Sequence, residues 1–122
     1  MKLLVVTCLL AISLPAWAQP KPANKITKDE LVLAFNQDSH AVDSAMVETC
    51  STQFPELAKP MASNWNERLK GLPPELAQYR RTPGFKKAVH QYRQEQAALA
   101  KTTEGKQALR DLCNAMASDV PQ

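Results

Sequence analysis

Glycine is scarce in this sequence, with three residues among 122. Tight hairpins depend on glycine for backbone conformations that other residues avoid, so few such turns are expected. No segment alternates apolar and polar residues over a convincing length, and no internal repeat or low-complexity run is present. These absences argue against β architectures and favour an all-α chain.

Local motifs for catalysis are also missing. The chain has no glycine-rich phosphate loop, no nucleophile motif around a serine or cysteine, and no Cys-x-x-Cys pair. Its glutamates lie at positions typical of helix surfaces. We therefore expect no catalytic residue and no cofactor. An enzyme stays open as an alternative, because many active sites have no local signature.

The chain has two histidines, and neither is surrounded by metal ligands. His40 lies near Asp38 and Asp43, but zinc takes three or four protein ligands and no second His or Cys is close in sequence. We interpret this group as a solvated polar patch at the start of a helix. His90 lies among basic residues, and no partner for a catalytic base can be named from the spacing. No metal site is expected.

Residues 1–18 have the form of a cleaved secretory signal peptide. Lys2 provides the positive start, residues 3–14 form a short apolar run, and Ala-Trp-Ala at 16–18 is a typical cleavage site. A run of this length is well below the roughly 20 residues that span a bilayer, which argues against a retained anchor. The mature chain is expected to begin at Gln19 and to be periplasmic or secreted, with no transmembrane span.

The rest of the chain has the size of one domain. Residues 19–26 carry two prolines and two lysines and are expected to form a flexible tail, followed by a single helical domain over residues 27–119. Cys8 leaves with the leader, so Cys50 and Cys113 remain. An oxidising compartment allows these two to pair, and we predict a structural disulfide between them in preference to two free thiols.

Capping residues and prolines mark the expected helix starts. Thr27 and Glu30 have the spacing of a capping box, and Pro55 and Pro83 suit first helical positions. The polar residues 36–39 either break the first helix or lie on a longer continuous one. The sequence thus predicts a bundle of four main helices plus a short helical turn after Pro74, with short connections that favour antiparallel neighbours.

Apolar residues spaced three and four apart indicate which helix faces meet. We expect Leu31, Val32 and Phe35 to form the apolar side of the first helix. On the last helix, we expect Ala108, Leu109, Leu112, Cys113 and Met116 to do so. Few aromatic residues are present, which makes Trp65 the expected centre of the core. Tyr79 is expected at the surface.

The net charge of +3 is small, so binding to nucleic acid is not expected. The charge is nevertheless divided along the chain. Residues 28–56 hold six acidic residues and one lysine, whereas residues 57–110 hold eleven basic and four acidic residues. The basic residues gather around the start of one helix, where backbone amides add positive potential. They form a possible patch for an anionic partner: Arg80, Arg81, Lys86, Lys87 and Arg93.

Such a patch can bind an acidic protein, an anionic cell-wall polymer or a lipid headgroup, or it can simply keep a helix face soluble. The resulting hypothesis is an exported, non-catalytic helical binding protein of the bacterial envelope. It would act through its surface on a protein partner, as an inhibitor, an immunity protein or an adaptor. The alternatives are a small envelope hydrolase or ligand-binding enzyme with a site between helices, and a structural or stress-related envelope protein.

Overall fold

The computed structural model of the protein describes residues 26–118, and these residues form helices and short connections without a strand. The predicted leader, most of the predicted tail and the last residue of the predicted domain lie outside this range. The prediction of an all-α bundle is confirmed.

Four long helices and one short helix make up the bundle, as predicted. A single 3₁₀ turn, Pro55–Leu57, joins the first two. In chain order the helices are α1 (Lys28–Gln53), α2 (Ala58–Lys70), α3 (Pro74–Tyr79), α4 (Pro83–Leu99) and α5 (Thr103–Ser118).

Helix α1 is continuous, which answers the question left open at residues 36–39. It begins at the predicted capping box, where the Thr27 hydroxyl accepts from the Glu30 amide and the Glu30 carboxylate accepts from the Thr27 amide. With 26 residues it is about 39 Å long at 1.5 Å per residue. The neighbouring helix α4 has 17 residues. The amino-terminal turns of α1 therefore extend beyond the bundle.

Prolines and threonines set the other helix starts. Pro55 opens the 3₁₀ turn, and Pro60 falls in the first turn of α2, where a missing amide removes no helical hydrogen bond. The Thr82 hydroxyl accepts from the Phe85 amide at 3.2 Å and caps α4. Thr102 caps α5 in the same way through the amide of Gly105. The predicted starts near residues 28 and 83 are confirmed.

Gly105 allows the sharp turn between α4 and α5. A Cβ atom at this position would lie 2.0 Å from the carbonyl oxygen of Leu99, far closer than atoms approach in proteins. The last turn of α4 can therefore pack directly on the first turn of α5 only because this residue has no side chain.

The main hydrophobic cluster lies where the end of α1 meets α2 and α5. Its fully buried members are Cys50, Phe54, Met61, Leu109 and Cys113. The largest of these is Phe54, which lies in the connection after α1 and was not predicted as a core residue.

The disulfide between Cys50 and Cys113 is part of this cluster. The two Cα atoms are 5.6 Å apart, and the bond links positions separated by 63 residues. It fastens the last turn of α1 to the middle of α5, as the sequence predicted.

Several apolar residues lie at the surface, contrary to the prediction. Leu31 and Phe35 on α1 are exposed, because α1 outgrows its neighbours at that end. On α5, Leu112 is exposed beside the buried pair Leu109 and Cys113, since the core-facing side of this helix is narrower than its apolar side. Trp65 is only half-buried and is not the centre of the core.

Among the described residues, no helix has the length and apolar character that crossing a membrane requires.

Candidate functional site

Helices α1 and α4 lie side by side and form the most extensive helix pair in the bundle. Small residues on α1, Ala41 and Ala45, allow close approach and pack against Phe85 and Val89 on α4. Further along, the Thr49 hydroxyl donates a 2.8 Å hydrogen bond to the buried side-chain oxygen of Gln96. These contacts fix the relative position of the two helices and of the side chains along their shared edge.

A shallow groove with basic walls follows this edge. Its first part is a cavity of about 270 Å³. The charged and titratable lining residues are Glu48, Arg80, Lys86, His90 and Arg93. Arginine and lysine outnumber the single carboxylate by three to one, so an anion approaching this groove meets a net positive surface.

The groove continues towards the carboxyl-terminal end of α4. A second depression of about 230 Å³ shares His90 and Arg93 with the first and is lined beyond them by Thr49, Thr52, Gln53, Gln94 and Ala97. We use the term basic groove for the two depressions together. Its side chains offer hydrogen-bond donors and acceptors beside the positive charges, which suits an extended polar segment of a partner.

The predicted anionic-partner patch is divided by the structure. Arg80, Lys86 and Arg93 line the basic groove, whereas Arg81 and Lys87 are exposed outside its lining. Arg93 forms an ion pair with Glu48 at 3.2 Å. Both members of this pair are about half exposed, and Lys86 is exposed as well.

No protein-family model, curated protein or solved structure shows significant similarity to the chain.

His40 is buried with 7 % of its surface exposed, which corrects its interpretation as a solvated residue. Its ring stacks on Trp65 and Phe85, with centroid distances of 5.4 and 5.8 Å. Its Nε2 atom lies 3.0 Å from Nη1 of Arg80. Arginine is always a donor, so Nε2 is the acceptor and the imidazole is neutral in this arrangement.

Arg80 is held at the end of the basic groove by one hydrogen bond and two aromatic contacts. Besides the bond to His40, its guanidinium carbon lies 5.1 Å from the ring centroid of Phe85 and 5.9 Å from that of Trp65. Tyr79 packs edge-on against Phe85, so it belongs to this cluster and is not the surface aromatic that the sequence predicted. The arrangement holds a positive charge in one position before any partner arrives.

A separate cavity beside His40 has Asp43, Trp65, Arg68 and Leu69 among its other lining residues. Burial raises the pKa of the Asp43 carboxyl, and the positive charge of Arg68 partly offsets that effect. No serine, threonine or cysteine lines this cavity. Within residues 26–118, no three His, Cys, Asp or Glu side chains are grouped as metal ligands.

The environment of His40 predicts a pH-dependent stability. Burial and, second, the positive charge of Arg80 lower the pKa of His40 from its ordinary value of 6.5. As the pH falls below that value, the unfolded chain binds a proton that the folded imidazole takes up only at lower pH, so the free energy of unfolding decreases. The raised pKa of Asp43 has the opposite effect on the free energy of unfolding, and that effect occurs at pH values nearer the ordinary carboxyl pKa of 3.8.

We therefore expect the thermal unfolding midpoint to fall when the pH is lowered from about 7.5 to about 5.5. In His40→Gln the side-chain oxygen can still accept from Arg80, but the group no longer titrates, so the fall should be smaller. Differential scanning calorimetry at both pH values measures this. An equal fall in both proteins would show that other groups cause it.

Proposed function

We propose that the chain is an exported, non-catalytic binding protein of the bacterial envelope, and that it engages an acidic protein partner through the basic groove between α1 and α4. The observation that carries this proposal is the positioned set of cations along one helix pair. Arg80 is fixed by His40 and two aromatic rings, while Lys86 and Arg93, the latter paired with Glu48, lie further along the same groove.

Positioned charges favour binding because little side-chain freedom remains to be lost when the partner docks. The rigidity of the fold favours binding for the same reason. The disulfide and the buried Thr49–Gln96 hydrogen bond hold α1 in a defined position. Small domains that work outside the reducing cytoplasm commonly use disulfides in this way. Export itself is part of the proposal and rests on the leader-like residues 1–18.

The alternative of a small hydrolase has less support. The cavity beside His40 holds a histidine and a carboxylate, but Nε2 of His40 is already occupied by Arg80, and no hydroxyl or thiol nucleophile lines the cavity. The hydrogen bond from Arg80 to His40 instead holds Arg80 in place, so His40 contributes to the basic groove.

A charge-reversal experiment tests the proposed function. Lys86→Glu combined with Arg93→Glu reverses two exposed charges that line the groove, without touching Arg80 or the core. Lys101→Glu with Lys106→Glu makes the same change of charge at the α4–α5 turn and serves as the matched control. We expect the tagged wild-type protein and the control to retain an acidic protein from envelope extract at low salt, and the groove variant to lose most of it.

Binding should also weaken as salt rises, because the charges are solvent-exposed. If the groove variant still retains the acidic protein, or if the control loses it to the same extent, the assignment to the groove is contradicted.

Mass spectrometry of the purified protein checks export separately: we expect a chain beginning at Gln19, and an intact leader would contradict that part of the proposal.

A further inference from the structure

The amino-terminal turns of α1 carry large apolar side chains that the described part of the chain does not cover. Leu31 is 63 % exposed, Phe35 is 70 % exposed and Val32 is 49 % exposed. Every residue from 28 to 36 is exposed. Soluble proteins seldom leave contiguous apolar side chains on a projecting helix unless another surface packs on them. We call residues 28–38 the α1 arm.

One face of the α1 arm has a symmetric order of residues. Lys28, Leu31, Phe35 and Asp38 are spaced by three, four and three positions, so they lie along one stripe of the helix. The stripe begins with a positive charge, continues with two apolar side chains and ends with a negative charge. Asp38 is held in place because one of its carboxylate oxygens accepts a hydrogen bond from the Tyr92 hydroxyl.

This order is complementary to itself when two arms run in opposite directions. With residue 33 at the midpoint, Leu31 of one copy is level with Phe35 of the other, and Lys28 is level with Asp38. Each contact then occurs twice, as a two-fold axis requires. A parallel pairing would instead set lysine against lysine and aspartate against aspartate, which is unfavourable.

We propose that the α1 arm is a self-association site, at which the arms of two copies pack antiparallel and bury the Leu31 and Phe35 side chains. The contact involves only three turns of helix from each copy. Its area is well below the roughly 1,200–2,000 Å² of stable interfaces, so the dimer is reversible and forms at micromolar or higher concentration. The basic groove lies on another part of α1 and is not used.

Sedimentation equilibrium of the purified protein, expressed as the full chain, tests this over concentrations of about 5 to 500 µM. We expect the average mass to rise from that of the monomer towards twice that value. Leu31→Glu with Phe35→Glu should stay monomeric throughout. Because both side chains are exposed in the monomer, the variant should unfold at the same temperature as the wild type in dilute solution.

A charge swap tests the direction of packing. Lys28→Asp and Asp38→Lys, made singly, each place like charges together twice and should weaken dimerisation about tenfold. The double variant restores opposite charges and should recover most of the affinity. Asp29→Lys lies off the stripe, carries the same charge change as Asp38→Lys and should have little effect.

A wild-type protein that remains monomeric at the highest concentration overturns the proposal, and the arm would then be available to a different protein. A dimer that persists in the Leu31→Glu, Phe35→Glu variant places the interface elsewhere. Failure of the double charge swap to recover what the single changes lose rules out the antiparallel register.

Discussion

Replacing both Cys50 and Cys113 by alanine is expected to lower the free energy of unfolding by about 4 kcal/mol. The estimate comes from the entropy that a cross-link over 63 residues removes from the unfolded chain. Alanine is the appropriate replacement because both sulfur atoms belong to a fully buried apolar cluster, where a serine hydroxyl would lack a partner.

A loss of this size is a large share of the ~5–15 kcal/mol by which typical domains are stable. For a domain of this size the melting temperature should fall by roughly 15–30 °C. Calorimetry of the variant, and of the wild type with and without reductant, measures the effect. Mass spectrometry should show that the unreduced protein is lighter than the reduced protein by the mass of two hydrogen atoms. Two free thiols, or a variant that melts with the wild type, would contradict the structural role of the bond.

Phe54→Ala is expected to cost about 3–5 kcal/mol, as removal of a fully buried aromatic ring does in other cores. Phe54 has no exposed surface, and its ring packs with Met61, Leu109 and the disulfide. The guanidinium of Arg110 lies 4.3 Å from the ring centroid and is held there by an ion pair with Glu56 at 2.8 Å. The substitution therefore leaves a cavity and removes a cation–π contact.

Phe35→Ala is the matched control, because it makes the same chemical change at a side chain that is 70 % exposed. It should change the free energy of unfolding by less than about 0.5 kcal/mol in dilute solution. Urea titration of both variants compares them directly. Similar losses for the two would mean that Phe54 is not the centre of the core.

The local features of this fold were predictable from the sequence because they depend on neighbouring residues. The Thr27 capping box and the starts after Thr82 and Thr102 follow from hydrogen bonds within three positions. The disulfide was predictable for a different reason: beyond the leader, Cys50 and Cys113 are the remaining cysteines.

The features that were missed depend on residues far apart in the chain. Phe54 lies between two helices, so it belongs to no periodic pattern that would mark it as core. His40 is buried by Trp65 and Phe85 and bonded to Arg80, 40 positions away, and its own neighbours give no sign of this. The apolar spacing of Leu31 and Phe35 indicated a face, but not that α4 is too short to cover it.

The sulfur–sulfur link has a consequence for how the chain can be cleaved. Every connection between α1 and α5 lies inside the ring that Cys50 and Cys113 close, including the exposed α2–α3 turn at Gly71 and Pro73. A protease that cuts this turn once therefore releases no fragment. The two pieces stay joined and part only after reduction, so a nicked molecule keeps its mass on a gel run without reductant.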